Sequence, residues 1–199
     1  MQISPGPAAM LRGIFGDAAQ LSYVVNDLDA TLRFWTENLG VGPFVVIEDA
    51  AKDRIIAYRG QRSRVTMSLA FSYVGNVQIE LVTARSTDPT PWTDFLASGR
   101  EGLHHMGFWP SDHAAACARL DALGFALSTR IETEDGKLSA AYFEGPAHFG
   151  HMVELAPDSP ARMRYFGGIR KLAETWDGTR PVRRFASRKA YLASDDCRP

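Results

Sequence analysis

The 199-residue sequence predicts an α+β fold, in which two βαβββ modules pair into one curved, mixed sheet and a C-terminal extension follows them. Three observations predict it. A strand–helix pattern that opens at Gln20 opens again at His105. A short strand holding a glutamate between apolar neighbours closes each half, at Glu80 and at Glu154. The strand-like stretches in between are set off by turn signals. Landmarks that recur in the same order mark an internal repeat.

Residues 1–17, with Pro5, Pro7, Gly13 and Gly16, read as an N-terminal arm. The first module, 18–84, starts with the β-branched and aromatic run Gln20–Val25, a strand. Asn26 and Asp27 offer N-cap oxygens. Leu28, Leu32, Trp35 and Leu39 then recur at helical steps until Gly40 stops the helix. Strands centred on Phe44–Glu48, Val65–Phe71 and Val77–Val82 follow, with Gly60 and the Gly75-Asn76 pair at turns. Residues 85–102 form a connector in which Trp92, Phe95 and Leu96 suit a short amphipathic helix.

The second module, 103–157, repeats the pattern: strand His105–Trp109, caps at Ser111 and Asp112, helix Ala114–Leu123 closed by Gly124, then strands Ala126–Ile131, Ser139–Phe143 and His151–Leu155. Setting Gln20 over His105 places Tyr23 over Phe108 and Asp27 over Asp112; at the other end of each module Val77–Val82 matches His151–Ala156, which sets Glu80 over Glu154. Residues 158–199 are a basic extension. Met163, Phe166, Ile169 and Leu172 have helical spacing there, and Arg180, Arg183, Arg184, Arg188 and Lys189 crowd the end. The plain reading is a solvated tail or a strap over a neighbouring subunit. The sharper one is a clamp for an anionic substrate group, because arginine grips carboxylate or phosphate in a two-pronged fork.

With 45% hydrophobic residues the chain can build a core, and a formal net charge of -1 gives no field to gather nucleic acid or anionic lipid. A small-molecule partner is expected, with no nucleic acid and no membrane. Cys117 and Cys197 lie too far apart and are too few for a secreted disulfide scaffold. The first residues lack a basic flank followed by an apolar core, and no apolar run approaches the roughly 20 residues of a bilayer span. A soluble, cytoplasmic protein is the expectation.

The chemistry lies in the repeated positions. Side chains alternate along a strand, so Glu80 must face away from Ile79 and Leu81. A carboxylate pointing into the interior of a curved sheet is costly without a partner. If the modules pair about a pseudo-twofold axis, Gln20, Glu80, His105 and Glu154 converge in one cleft, where one divalent cation serves both glutamates. An imidazole, an amide oxygen and two carboxylates suit Zn, Ni, Co, Mn or Fe(II). The plainer readings are paired structural glutamates, a hydrogen-bonded core histidine and an ordinary strand-end glutamine. His104 competes with His105, but alternation sends the two to opposite faces and the repeat register favours His105. His148 and His151 suit a loop or surface, Cys117 packing, and His113 solvent. Tyr23, Phe71, Tyr73, Phe108, Trp109, Tyr142 and Phe143 form core, or in part line a pocket for a bulky hydrophobic or aromatic substrate.

The segments Gln20-LSYVVNDLDATLRFWTENLG, Gly102-LHHMGFWPSD and Gly150-HMVELAP resemble the vicinal oxygen chelate superfamily, over roughly residues 18–157. That group includes glyoxalase I, methylmalonyl-CoA epimerase, extradiol dioxygenases and bleomycin-resistance proteins. The resemblance implies Gln20, Glu80, His105 and Glu154 as metal ligands, a set closest to zinc-type glyoxalase I, which slightly favours zinc. It implies an isomerase, epimerase or lyase that removes a proton α to a metal-chelated carbonyl through an enolate. Glu154 is the first choice for the base and Glu80 the second. It also makes a homodimer the expected assembly, with the cleft within one chain or across two. The rivals are a non-catalytic, resistance-type binding protein and an extradiol dioxygenase. Gln20 stands where the dioxygenase would have its first histidine, and the retained carboxylates argue against a mere binder.

Overall fold

A computed structural model describes residues 15–197; residues 1–14 of the expected arm lie outside the described residues. In chain order the elements are β1 (Ala18–Val24), α1 (Leu28–Arg33), β2 (Phe44–Ile47), β3 (Arg54–Tyr58), β4 (Gln61–Ser63), β5 (Met67–Val74), β6 (Val77–Ala84), α2 (Pro91–Ala97) and β7 (Gly102–Phe108). There follow α3 (His113–Ala122), β8 (Ala126–Thr133), β9 (Leu138–Glu144), β10 (Met152–Leu155), α4 (Pro160–Glu174), β11 (Val182–Phe185) and α5 (Arg188–Leu192). The helix starts follow the expected chemistry. The Asp27 side chain accepts from the Ala30 amide and the Asp112 side chain from the Ala115 amide, each capping its helix. Leu28 and Leu32, one turn apart, bury against Ile79 and Leu81 on the far side of β6 from Glu80.

Among the described residues the strands form a single mixed sheet in the order β11-β2-β5-β6-β1-β7-β10-β9-β8-β3-β4. The first strands of the two halves, β1 and β7, pair antiparallel at its centre. Each of them is flanked by the last strand of its own half in parallel, β6 beside β1 and β10 beside β7. The pseudo-twofold therefore passes between β1 and β7.

The first half holds more than the repeat predicts. A hairpin, β3–β4, is inserted between β2 and β5 and crosses to the second half, where β3 pairs antiparallel with β8. In a flat sheet β2 and β3 would stand eight strand spacings apart, about 38 Å at about 4.8 Å each. The six residues Glu48–Asp53 that join them can span at most about 25 Å. The sheet must therefore curl into a trough until its ends approach, and that curl makes the cleft.

The extension is built into this trough. β11 adds in parallel to the edge of β2, and α4 lies across β5, where Phe166 and Tyr165 meet Phe71 edge-on at ring-centre distances of 5.4 and 6.3 Å. Tyr191 of α5 is fully buried against Tyr165. Exposed ion pairs contribute about 0–1 kcal/mol each, whereas burying one large apolar side chain contributes about 1.5–3 kcal/mol. The aromatic contacts, more than the arginines, hold the extension down. A backbone approach at Gly168 sets how closely α4 docks, since a Cβ there would sit 2.6 Å from the Tyr191 hydroxyl and 3.0 Å from the Cys197 carbonyl oxygen. Gly168→Ala is expected to cost about 1–3 kcal/mol by overpacking, read as a lower urea midpoint at unchanged slope. Among the described residues no helix is long and apolar enough to cross a membrane.

Candidate metal centre

The sheet register assembles the site. Gln20 lies across from Gly107, and Glu154 flanks Gly107 from the other side; the missing side chain at 107 leaves room for Gln20. A Cβ on Gly107 would come within 3.0 Å of Gln20 Oε1. Ser22 is the register partner of both Glu80 and His105. Gln20, Glu80, His105 and Glu154 thus come from four adjacent strands, β1, β6, β7 and β10, of one chain.

His105 Nε2 is the centre of the group. It lies 3.2 Å from Glu154 Oε2, 3.4 Å from Glu80 Oε2 and 3.3 Å from Gln20 Oε1. His105 is fully buried, and Gln20, Glu80 and Glu154 are 2–5% exposed. The ligand atoms of Glu80, His105 and Glu154 all lie within 4.8 Å of one another. Around a tetrahedral ion with bonds of about 2.1 Å, ligand atoms stand about 3.4 Å apart, so these separations are those of a coordination shell. Two buried carboxylates beside one imidazole also carry more negative charge than the imidazole can balance. The donor set fits a divalent cation.

Other side chains orient the donors. The Ser22 hydroxyl donates to Glu80 Oε2 at 2.6 Å, and the Gln20 amide NH₂ donates to Gln78 Oε1 at 2.7 Å, which turns its carbonyl oxygen toward His105. Gln78 is held in turn by donating to the Tyr73 hydroxyl. The Tyr142 hydroxyl bonds to Glu154, and its ring packs edge-on to His105 at 5.0 Å. Burial, with the charges of Glu154 and Glu80 behind it, raises the Tyr142 phenol well above its ordinary range, so it stays a donor. Burial alone would push the Glu154 carboxyl up, but its bond to His105 and the charges of His105 and Arg162 outweigh this and hold it low. Burial likewise opposes the charged form of His105. The hydrogen bonds and charges of Glu154 and Glu80 prevail, lifting it to about 9 when no cation stands between them.

Strict alternation does not hold at His104. The β1–β7 register slips between Ser22↔His105 and Tyr23↔Leu103, leaving His104 as the extra residue of a bulge. The expectation that His104 and His105 face opposite ways is therefore corrected: their Nδ1 atoms lie 2.9 Å apart. His104 Nε2 sits 3.3 Å from the Pro91 carbonyl oxygen, which can only accept, so that nitrogen carries the hydrogen. His104 Nδ1 then accepts from His105 Nδ1–H, and the lone pair of neutral His105 is left on Nε2, facing the carboxylates. Burial first, then the neighbouring His105, drives His104 down to about 3, so it stays neutral.

The remaining predicted positions lie elsewhere. His151 precedes β10, its ring against Phe149 at 4.3 Å, and His148 lies in the short turn before it. His113, expected in solvent, is half-buried with Nε2 near the Leu155 carbonyl oxygen. Cys117 packs at the margin of the core under α3. Of the basic residues, Arg180 and Arg183 pair with Asp196, and Arg184 with Glu48 and Asp29. Arg188 reaches the cleft, bound to Asp53 and the Ala50 carbonyl.

Gln20, Glu80 and Glu154, with His105 buried behind them, line the floor of a cavity of about 520 Å³, a size suited to a small-molecule ligand. Phe71, Trp92, Tyr142, Tyr165 and Phe166 line it, so two of the aromatics singled out in the sequence face it. Ser22 and Gln78 lie two residues from Gln20 and Glu80 on the same strands, and period-two alternation would have found them. Arg162, which also lines the cavity, gave no such signal because it comes from outside the repeat.

A trough of paired modules around buried oxygen and nitrogen donors defines the vicinal oxygen chelate class. The chain belongs to the Glyoxalase/Bleomycin resistance protein/Dioxygenase superfamily, whose model matches residues 19–143. Solved structures agree on the fold. A hypothetical protein from Bacillus halodurans is 17% identical with a TM-score of 0.55, over 72% of this chain and 94% of that one. Methylmalonyl-CoA epimerase from Mycobacterium tuberculosis is 20% identical with a TM-score of 0.53, over 75% and 92%. A Streptomyces coelicolor methylmalonyl-CoA epimerase variant in complex with 2-nitronate-propionyl-CoA is 17% identical with a TM-score of 0.52, over 72% and 95%. A search of curated proteins gives no match.

Proposed function

We propose that the chain is a metal-dependent isomerase, epimerase or lyase of the glyoxalase type, which removes a proton α to a carbonyl and returns it to another carbon or the other face. The convergence of Gln20, Glu80 and Glu154 on His105 Nε2 at the floor of an apolar cavity carries this reading. These four would hold the ion, with zinc slightly favoured among Zn, Ni, Co, Mn and Fe. When bound, a divalent cation supplies polarisation of the substrate carbonyl and stabilises enolate charge.

The side chains do the rest. Glu154, held ionised by its neighbours, is the base that takes the α-proton, and the Tyr142 hydroxyl orients it. Glu80, steadied by Ser22, stands ready on the opposite side to return a proton. The aromatic walls keep water from the carbanion. One imidazole with two carboxylates and an amide does not match the two-histidine set of an extradiol dioxygenase.

Elemental analysis of the purified protein tests the reading, together with solvent-deuterium incorporation at the α-carbon of small carbonyl compounds followed by proton NMR. About one transition metal per chain and exchange that stops with a chelator are expected. No metal after reconstitution, or metal without exchange across a broad carbonyl panel, sinks the catalytic assignment and leaves a binding protein.

A further inference from the structure

The cavity above the cluster is chemically two-sided. Near the floor stand the donors; the extension and the strand ends add Arg54, Lys137, Arg162, Arg188 and Lys189 to the walls. Arg54 and Arg188 both bind Asp53, at 2.9 and 2.6 Å. Arg162 differs, because no described carboxylate pairs with it. One terminal NH₂, Nη2, donates to the Ser139 carbonyl at 2.6 Å, and the guanidinium carbon lies 5.4 Å from the Trp109 ring centre and 5.5 Å from that of Phe166. Trp109 and Phe166 stack on each other nearly parallel. The guanidinium is thus fixed in place at half burial, with the rest of its donors uncommitted.

Arg162 stands beside the cluster without joining it: its charge acts on Glu154, and the Ser139 carbonyl that holds it lies three residues along β9 from Tyr142, which touches both His105 and Glu154. A ligand spanning floor to Arg162 would lie against the Phe71, Tyr165 and Phe166 rings. A dianionic phosphate would call for a second fixed guanidinium, but Arg54 and Arg188 are tied to Asp53 and Lys137 to Asp135, and Lys189, at an exposed position, offers a point charge instead of a fork. One fork matches one carboxylate.

We propose that Arg162 is the anion-binding end of the substrate site, and that the substrate is a carboxylate-bearing compound with an apolar, aromatic-sized body whose carbonyl end reaches the Gln20–Glu80–His105–Glu154 cluster. The floor half of this proposal rests on the metal reading above; the Arg162 half does not.

The test uses matched probes and calorimetry. A benzohydroxamate bearing a para carboxymethyl group is compared with its methyl ester on the zinc-loaded protein, and phenylbutyrate with phenylbutanol on protein without added metal. The acid of each pair is expected to bind about tenfold or more tighter than its neutral partner. Arg162→Gln should abolish that preference, Arg162→Lys keep part of it, and Arg164→Gln, an exposed charge on the same helix, leave it intact. Thermal midpoints verify that the variants are folded. Equal binding of acid and ester, a preference that survives Arg162→Gln, or phenyl phosphate outcompeting phenylbutyrate overturns the carboxylate subsite. Loss of hydroxamate binding while phenylbutyrate still depends on Arg162 overturns the metal reading alone.

Discussion

Glu154→Gln is expected to fold and to lose its metal. The amide is nearly isosteric, but it is neutral and a poorer ligand, and its NH₂ can turn toward His105. Substitution of groups that merely support a ligand costs about 10–100-fold in affinity, so loss of a direct carboxylate should cost on the order of a hundredfold or more. A chelator-competition titration measures this directly. Proton exchange should fall further than metal occupancy accounts for, because the base leaves with the ligand. The same titration carries a pH signature in the wild type. The metal must displace a proton from His105, held near 9 by Glu154 and Glu80 against its burial. Below that pH the imidazole is protonated, so affinity should climb about tenfold per pH unit and level off above it. Wild-type affinity in Glu154→Gln would make Glu154 a structural partner of His105 and nothing more.

The second large effect belongs to a residue that touches no substrate. His104→Leu removes the acceptor for His105 Nδ1–H while keeping an apolar body between Trp92 and Phe95, the rings His104 packs against. A buried donor left unsatisfied costs about 1–3 kcal/mol, and the imidazole loses the bond that fixes which nitrogen faces the carboxylates. Metal affinity should fall about 10–100-fold. His104→Asn separates the two roles, because its side-chain oxygen can stand where Nδ1 stood. Affinity should return to within a few-fold of wild type while stability stays reduced by lost packing. If His104→Leu binds metal normally, the paired histidines are core and the relay from Pro91 has no functional weight.

These two residues also mark what could be read from the chain. Glu154 was legible because a carboxylate amid Met-Val and Leu has to face away from them, and because Glu80 repeats the pattern. His104 was misread because a bulge has no composition of its own; it arises where two strands are forced out of step by their neighbours. The β3–β4 hairpin escaped notice for a related reason. Gly60 announced a turn, but the partner of β3 lies some seventy residues away in the other half, and a repeat shows what two halves share, not what one has gained. The arginines of the extension were conspicuous as charge, yet their roles depend on acids scattered from Asp29 to Asp196. Charge patterning cannot choose among such partners.

The two additions have a further consequence at the rims of the sheet. An open sheet offers two rows of unpaired backbone groups to any passing strand, and long apolar edges invite chains to stack. Here the outermost strands are β4 and β11, three and four residues long, and they carry Arg62, Arg183 and Arg184. Without the insertion and the extension, the exposed rims would be β2, wholly apolar, and the eight-residue β8. The segments that complete the cleft therefore also blunt the sheet against polymerisation, so shortening the chain toward its repeated core should exchange a well-behaved fold for one prone to self-templated growth.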